Sequence, residues 1–303
     1  AVYLNLCSFS KSGELPGKTS DIYQMFSASM LNPLPEDRKE FLSAMGLADE
    51  FTEEMAEFIT KREDVHQILK MLTRQNAFVA CLNDGQTYRF HHMMKECAFR
   101  AFRTLDDSRL AFYYERYGAW YEKHGAYIYA LSAYRRNQNF AAILRVVQKD
   151  AGILLASLKP EEVLEVLNRC PVSVLKEYPL AILVLMRCMF NWKNIPKMLE
   201  LKELLLASIR EHPKLSEEER GNLLGECDLI QSFLMYNDIS RMSQFHRSAS
   251  EKMTRPAISI RSDGGWTFGS PSVLMMFHRK SGDLVCLIIT RSQTDTDRVQ
   301  KRL

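Results

Sequence analysis

The stretch NAFVACLNDGQTYRFH, Asn76–His91, decides the fold of the first part of the chain. Residues that favour β-structure flank Asn83, Asp84 and Gly85 on both sides. An Asp-Gly pair accepts the positive φ angles of a tight hairpin turn. The stretch therefore predicts a β-hairpin between segments of sequence that show helical patterns.

Helical patterns precede and follow this hairpin. Apolar residues recur at helical spacing in four segments before it, which begin near Asp21, Pro35, Thr52 and Glu63. The third segment opens with Thr52 followed by two glutamates, a helix-capping pattern, and Gly46 and Pro33 are stop signals for the segments before it. The predicted order, in which helices are followed by a hairpin and then by one further helix, is that of a winged-helix domain.

The sequence that follows Asp106 shows only helical patterns as far as about residue 254, and the spacing of these patterns suggests a repeat. Helix pairs begin at about 107, 140, 175 and 218, and periods near 34 residues are typical of tetratricopeptide-like arrays. The predicted fold class is mainly α, a winged helix with one β-hairpin followed by a tetratricopeptide-like array of αα-hairpins. The predicted domains are a linker or arm at 1–33, the winged helix at 34–105, the repeats at 106–254 and an irregular, truncated tail at 255–303.

A second stretch, SGELPGKTS at Ser12–Ser20, is similar to a phosphate-binding loop but fails its chemistry. The P-loop pattern requires a glycine where Ser12 stands, because backbone N–H groups must reach the phosphates. Pro16 also removes one N–H donor from the turn. We interpret the stretch as a linker, and a nucleotide hydrolase that uses Lys18 and Thr19 is the least favoured of the alternative functions.

Composition excludes several classes of protein. The net charge of +3, from 40 basic and 37 acidic residues, gives no reason to expect general affinity for nucleic acid or membranes. No apolar run reaches the roughly 18 residues of a membrane span. The seven cysteines contain no C-x-x-C pair, which favours buried thiols in a reducing, cytoplasmic compartment. We expect a cytoplasmic protein that has no membrane partner.

Metal and DNA binding by the winged helix are not expected. His91 and His92 are adjacent at a predicted helix start and point in different directions, whereas zinc requires three or four convergent ligands. Residues 34–104 carry ten basic and twelve acidic residues, and a surface that reads DNA is expected to be basic. No pattern of nucleophile, base and acid is present either, so we predict no catalytic residue, no metal site and no enzyme activity.

Three phrases resemble the middle of a MalT-like regulator, one of the large ATP-dependent transcription activators of the LuxR type. They are LPEDRKEFLSAMGLADEFT (Leu34–Thr52), QNAFVACLNDGQTYRFHHMMKECAF (Gln75–Phe99) and YGAWYEKHGAYIYALSAYRRNQNFAAILRVV (Tyr117–Val147). The resemblance extends from about Asp21 to Arg210. It implies a winged helix followed by helical repeats that sense a small-molecule inducer.

The resemblance also implies roles for particular residues and partners. Tyr88, Arg89, Phe90 and His91 match the family's Tyr-Arg-aromatic-His motif. In related signalling ATPases a winged-helix histidine touches the bound nucleotide, so His91 and Arg89 are the candidate nucleotide-sensing residues, with a structural role at the hairpin as the alternative. ATP is implied for the full-length family member and no cofactor for this chain. The implied partners are a nucleotide-binding domain of the same protein, a small-molecule inducer, and DNA only through a C-terminal domain that is missing from this sequence.

Aromatic residues after position 106 are the candidates for contact with the inducer. Tyrosine offers apolar area together with a hydroxyl that orients a polar ligand, although a stripe at helical spacing is also what core packing requires. The candidate effector-binding residues are Tyr117, Trp120, Tyr121, Tyr127 and Tyr134. The predicted function is a regulatory sensor fragment, and a helical-repeat adaptor that docks protein partners is the alternative with the same fold.

The end of the chain breaks the pattern. The run Leu284–Ile289 is apolar and β-prone, and the residues after it are mostly polar. No partner strand for the run is obvious except Ala257–Ile260. We predict that Thr290–Leu303 is loosely placed.

Overall fold

The computed structural model of the protein describes residues 23–24, 26–74, 78–151, 154–235 and 238–260. Within these ranges it contains thirteen α-helices and one three-stranded antiparallel sheet, which confirms the mainly α fold class. The chain divides into two compact units, one ending at Gln138 and the other beginning at Asn139. The stretch Ser12–Ser20 and the tail from residue 261 lie outside the described residues.

The first unit contains the winged helix. Its elements, after a π-helical turn at Ser27–Leu31, are α1 (Glu36–Met45), β1 (Phe51–Thr52), α2 (Glu53–Thr60), α3 (Val65–Arg74), β2 (Val79–Cys81), β3 (Thr87–Phe90), α4 (His92–Phe102), α5 (Asp107–Lys123) and α6 (Tyr127–Arg136). The domain boundary predicted at residue 106 stays a prediction. The helix pair that follows it, α5 with α6, belongs to this first unit.

The predicted hairpin is confirmed as β2 and β3. Val79 pairs with Phe90 across the two strands, and Gly85 has a φ angle of +69° in the turn. The Asp84 carboxylate closes the turn by accepting hydrogen bonds from the N–H groups of Gln86 and Thr87, at 3.0 and 2.9 Å. Of the Asp-Gly pair, only Gly85 has the positive φ angle that the prediction relied on, and Asp84 contributes through its side chain instead.

The sheet has a third strand that sequence patterns did not predict. β1 contains only two residues and pairs antiparallel with β3, so that Phe51 lies opposite Tyr88. Two residues are too few to display the alternation that identifies a strand. The strand order is β1-β3-β2, which puts β3, the strand that leads to His91, in the centre of the sheet.

The predicted cap of the third helical segment is also confirmed. The Thr52 hydroxyl accepts a hydrogen bond from the Met55 N–H at 3.2 Å, which satisfies one of the free donors in the first turn of α2. Glu53 and Glu54 lie in that turn, where the helix dipole favours negative charge. At the other end of α2, Lys61 has a φ angle of +55° and its N–H bonds to the Glu57 carbonyl.

One apolar core supports the first unit and extends from the winged helix into α5. Helices α1, α2, α3 and α4 bury their apolar faces together, and each fully buried Leu, Ile or Phe contributes about 1.5–3 kcal/mol relative to an exposed one. Tyr113 and Tyr117 of α5 are members of the same cluster. The first helix after the winged helix is therefore part of the winged-helix core.

The second unit is wholly helical in its described residues. Its elements are α7 (Phe140–Lys149), a 3-10 turn (Leu154–Ser157), α8 (Pro160–Arg169), α9 (Val172–Lys176), α10 (Pro179–Asn191), α11 (Ile195–Glu211), α12 (Glu217–Ser232), a 3-10 turn (Phe233–Met235) and α13 (Ile239–Lys252). Helix α10 packs against α7, α9, α11 and α12, and α12 packs against α13. The helix pair predicted near residue 175 corresponds to α10 and α11. Its first helix begins at Pro179, a residue that is favoured in the first turn of a helix.

No helix within the described residues combines the length and the apolar character that crossing a membrane requires.

Candidate functional site

His91 lies at the junction of β3 and α4, on the solvent side of the sheet. Along β3 the side chains alternate, with Tyr88 and Phe90 buried and Arg89 exposed, and His91 continues the exposed side. The His91 N–H donates to the Phe78 carbonyl at 2.7 Å, while its own carbonyl accepts from the Lys95 N–H at 2.9 Å. The residue thus closes the hairpin and begins the helix, and its imidazole remains at the surface.

The His91 imidazole has neighbours that lower its pKa. Its ring centroid lies 5.5 Å from that of Phe78 and 4.3 Å from that of His92. Partial burial and then the nearby His92 lower the pKa of His91 below its ordinary value. Its Nδ1 atom accepts a long hydrogen bond, 3.4 Å, from the Met93 N–H. When such a ring is neutral and accepts at Nδ1, its proton lies on Nε2, which can then donate a hydrogen bond.

The cations beside His91 are paired with acids from the loop before β1. Arg89 forms an ion pair with Glu50, and Lys95 forms one with Asp49. An anionic ligand on this face must therefore compete with two carboxylates. Because these side chains are partly exposed, each pair is worth at most about 1 kcal/mol and exchanges partners at small cost.

Behind β3, a buried tyrosine fixes the strand. The Tyr88 hydroxyl donates to Glu53 Oε1 at 2.8 Å, and His66 Nδ1 lies 3.1 Å from the same oxygen. Burial, followed by the hydrogen bond to Glu53, raises the pKa of Tyr88 to about 12. The Tyr88 side chain thus ties β3 to α2 and α3, which steadies the strand that presents Arg89 and His91.

Three of the five candidate effector-binding residues have buried side chains. The Tyr117 hydroxyl donates to the Ala44 carbonyl at 2.8 Å. The Trp120 ring lies 5.4 Å from that of Phe58. The Tyr134 hydroxyl donates to Glu122 at 2.9 Å. In this conformation these aromatic side chains pack the first unit together.

The other two candidates retain accessible surface. Tyr121 is half-buried, and its ring lies 5.9 Å from that of Tyr117 and 5.2 Å from that of Tyr129. Tyr127 is half-buried at the start of α6. The structure therefore does not bring all five predicted residues to one surface, and contact with an effector stays a prediction, for which Tyr121 and Tyr127 offer the reachable area.

Residues that sequence reasoning did not single out attach α5 to the winged helix. Arg116 donates from Nε to the carbonyls of Phe58 and Ile59, the latter at 3.1 Å, and its guanidinium lies 4.5 Å from the Phe58 ring centroid. These carbonyls belong to the last turn of α2, which has no helical partners for them and carries the negative end of the dipole.

A second polar contact lies one turn earlier in α5. The Tyr113 hydroxyl donates to Glu40 Oε1 at 2.8 Å, and Arg109 donates to Glu40 Oε2 at 3.0 Å. These partners are more than sixty positions apart in sequence. No local pattern connects such distant residues, so no signal in the sequence could have revealed them.

Metal ligands do not converge anywhere in the described ranges, because no group of three or more His, Cys, Asp or Glu side chains comes together there.

The chain is similar to known proteins in two comparisons. Residues 27–110 match the family described as the MalT winged helix domain. The chain is also similar to the crystal structure of a signal transduction ATPase with numerous domains (STAND) protein with a tetratricopeptide repeat sensor from Pyrococcus horikoshii, with 13% identity and a TM-score of 0.43. That alignment covers 95% of this chain and 41% of the other, so this chain spans about two fifths of its length.

A search of curated proteins finds no match to the chain. The family match covers helices α1 to α4 and the sheet, including the hairpin, β1 and His91. It confirms the resemblance to MalT-like regulators in the part of the chain where the Tyr-Arg-aromatic-His motif lies. Over residues 27–110 the chain is therefore similar to the MalT winged helix domain.

Proposed function

We propose that the chain is a regulatory sensor fragment of a LuxR-type, MalT-like transcription activator. In this proposal a small inducer binds the helical region, and the winged helix passes the signal to a nucleotide-binding domain of the same protein. The chain acts by binding and has no catalytic role. The observation that supports this most is the attachment of α5 to the winged helix, because a shift of α5 must disturb α1 and α2.

His91 and Arg89 are the proposed contacts with the nucleotide or its domain. Both lie on the exposed side of β3 and the residue that follows it, and a neutral His91 ring that accepts at Nδ1 would donate from Nε2. Arg89 would exchange Glu50 for a phosphate, which offers a guanidinium bidentate geometry and more charge. The resting state is then the one in which these contacts are made.

The inducer would act by a shift of population. A ligand displaces a two-state equilibrium only by its difference in affinity for the two states. The proposed inducer surface includes Tyr121 and Tyr127, which lie on the same two helices as the buried Tyr117 and Tyr134. A ligand that moves α5 relative to α6 would strain the hydrogen bond from Tyr117 to the winged helix, and this strain would weaken the resting state.

The first experiment tests His91 in a complete protein in which a nucleotide-binding domain precedes this chain. His91→Ala should reduce the dependence of activity on inducer by about 5- to 150-fold, the usual range of allosteric coupling. His92→Ala is the matched control, since it removes a neighbouring exposed imidazole. Unaltered inducer dependence in the His91 variant would show that this residue has no part in the switch.

The second experiment tests the inducer surface in the chain itself. A small molecule that binds only the native state at a hundred times its Kd stabilises it by about 2.7 kcal/mol and raises the melting temperature. Tyr121→Phe and Tyr127→Phe keep the rings and remove the hydroxyls, so they should reduce the shift. If no compound in a broad screen of small polar metabolites raises the melting temperature, the result would instead favour the alternative function, a helical-repeat adaptor that docks protein partners and needs no such ligand.

A further inference from the structure

The chain leaves its last described helix, α13, and returns along α12. We call residues 253–260 the strap. It is neither helix nor strand, yet it is well packed, because Met253, Ala257 and Ile260 are only 2%, 8% and 3% exposed. Apolar side chains at the first, fifth and eighth positions therefore anchor an irregular segment.

The strap is held through its backbone by side chains of other helices. Asn222 Oδ1 accepts from the Thr254 N–H at 2.8 Å and more weakly from the Arg255 N–H at 3.4 Å. Glu226 Oε2 accepts from the Ser259 N–H at 2.9 Å, and Arg187 donates to the Ser259 carbonyl. Within the described part of the chain, residues 254–260 make no backbone–backbone hydrogen bond. Side chains that bind the free backbone groups of an irregular segment could hold a peptide in the same way.

Charge fixes the position of the strap. Arg255 donates to Glu219 Oε1 at 2.6 Å and to Glu226 Oε1 at 2.7 Å. Glu226 is fully buried, and both of its oxygens are used, since Oε2 also accepts from the Ser259 hydroxyl at 2.7 Å. A buried carboxylate that loses its cation is strongly unfavourable. We call Glu219, Asn222 and Glu226 the α12 face, and it requires a guanidinium above it.

We propose that the α12 face is a peptide-binding site, which the strap occupies from within the same chain. Its partner is a segment of another protein with the chemistry of the strap: an arginine, a small apolar residue two positions later, a serine four positions later and an aliphatic residue after it. Arg255, Ala257, Ser259 and Ile260 define that pattern. The partner segment competes with the strap, so the strap is an autoinhibitory occupant. This inference does not depend on the proposed role of His91.

A labelled peptide with the sequence of residues 253–260 tests the proposal by fluorescence anisotropy on the full chain. The double variant Arg255→Ala with Ser259→Ala weakens the strap and leaves the α12 face intact. It should bind the peptide about tenfold or more tightly than the natural chain, because the strap reduces the fraction of chains that are competent to bind. A peptide with alanine at its arginine position should bind about thirtyfold or more weakly. A variant with unchanged helical circular dichroism that binds no peptide overturns the proposal.

If the double variant loses helical signal, hydrogen exchange on the natural chain decides the question. Excess peptide carrying heavy isotopes should accelerate amide exchange in the strap, because it displaces the strap from the α12 face. Fragments from α7, which does not contribute to this face, serve as the internal reference. Strap amides that exchange at the same rate with and without the peptide mean that the strap is a permanent part of the fold and overturn the proposal.

Discussion

Tyr117→Phe is the sharpest test of the attachment of α5 to the winged helix. The change keeps the buried ring and removes only the hydroxyl that donates to the Ala44 carbonyl at 2.8 Å. Ala44 lies in the last turn of α1, where carbonyls have no partner within the helix. The variant therefore removes one hydrogen bond and leaves an acceptor unpaired in a fully buried residue.

The expected cost follows from that geometry. A buried polar group left without a partner costs about 1–3 kcal/mol, and the apolar contribution of the ring is unchanged. The free energy of unfolding of the first unit should therefore fall by about 1–3 kcal/mol. When the exchange rate is proportional to the equilibrium population of the open state, amides of α1 and α5 should exchange about 5- to 150-fold faster than in the natural chain, since 1.4 kcal/mol is a factor of ten.

The assay is native-state hydrogen exchange with fragments from α1 and α5, read against a matched control. Tyr114→Phe removes a hydroxyl from the same helix, and within the described residues that hydroxyl makes no hydrogen bond. Its exchange rates should stay within about twofold of the natural chain, because surface changes rarely exceed 0.5 kcal/mol. Equal rates in the two variants would refute the claim that Tyr117 carries the attachment.

Three further outcomes follow from the first unit. Gly118→Ala should lower its stability by about 1–3 kcal/mol in a thermal melt, because the new Cβ would lie 2.4 Å from the Tyr134 ring; an unchanged melting temperature would contradict this contact. The pKa of Tyr88 is raised to about 12 from 10.0 in the unfolded chain, so the stability that its protonated hydroxyl contributes is complete below pH 10 and is lost as the pH rises towards 12. Between pH 9 and 11, the free energy of unfolding measured in urea should therefore fall by about 1 kcal/mol less in Tyr88→Phe than in the natural chain. An equal fall in the two proteins would contradict this pKa shift. Arg116→Met should cost about 1.5–3 kcal/mol, the value of hydrogen bonds to charged groups, and urea unfolding with no such loss would mean that the α2 carbonyls do not need it.

The local features of the winged helix could be predicted from sequence because each rests on neighbouring residues. The Asp84-Gly85 turn and the Thr52 cap are determined within four positions, and both are confirmed. β1 could not be predicted, since its two residues become a strand only by pairing with β3. Its existence depends on a partner thirty-five or more positions away, and a local pattern carries no such information.

The candidate site was predictable only in part, for the same reason. Tyr88 is buried and Arg89 exposed along β3, which the hairpin prediction alone did not specify. The aromatic stripe of α5 correctly predicts a face that packs, but periodicity cannot say against which helix. Tyr117 meets Ala44 through a contact that spans 73 positions, so its partner became visible only in the folded unit.

The guanidinium of Arg116 has a consequence for how this domain can be moved between proteins. The match to the winged-helix family ends at residue 110, before the arginine that completes the last turn of α2. A gene fusion that cut the chain there would transfer α2 with unpaired carbonyls in its last turn and with the Phe58 ring no longer covered by the guanidinium. Recombination that preserves a working winged helix must therefore carry α5 along, so the two are expected to be inherited as one piece even where the helices beyond them have been exchanged.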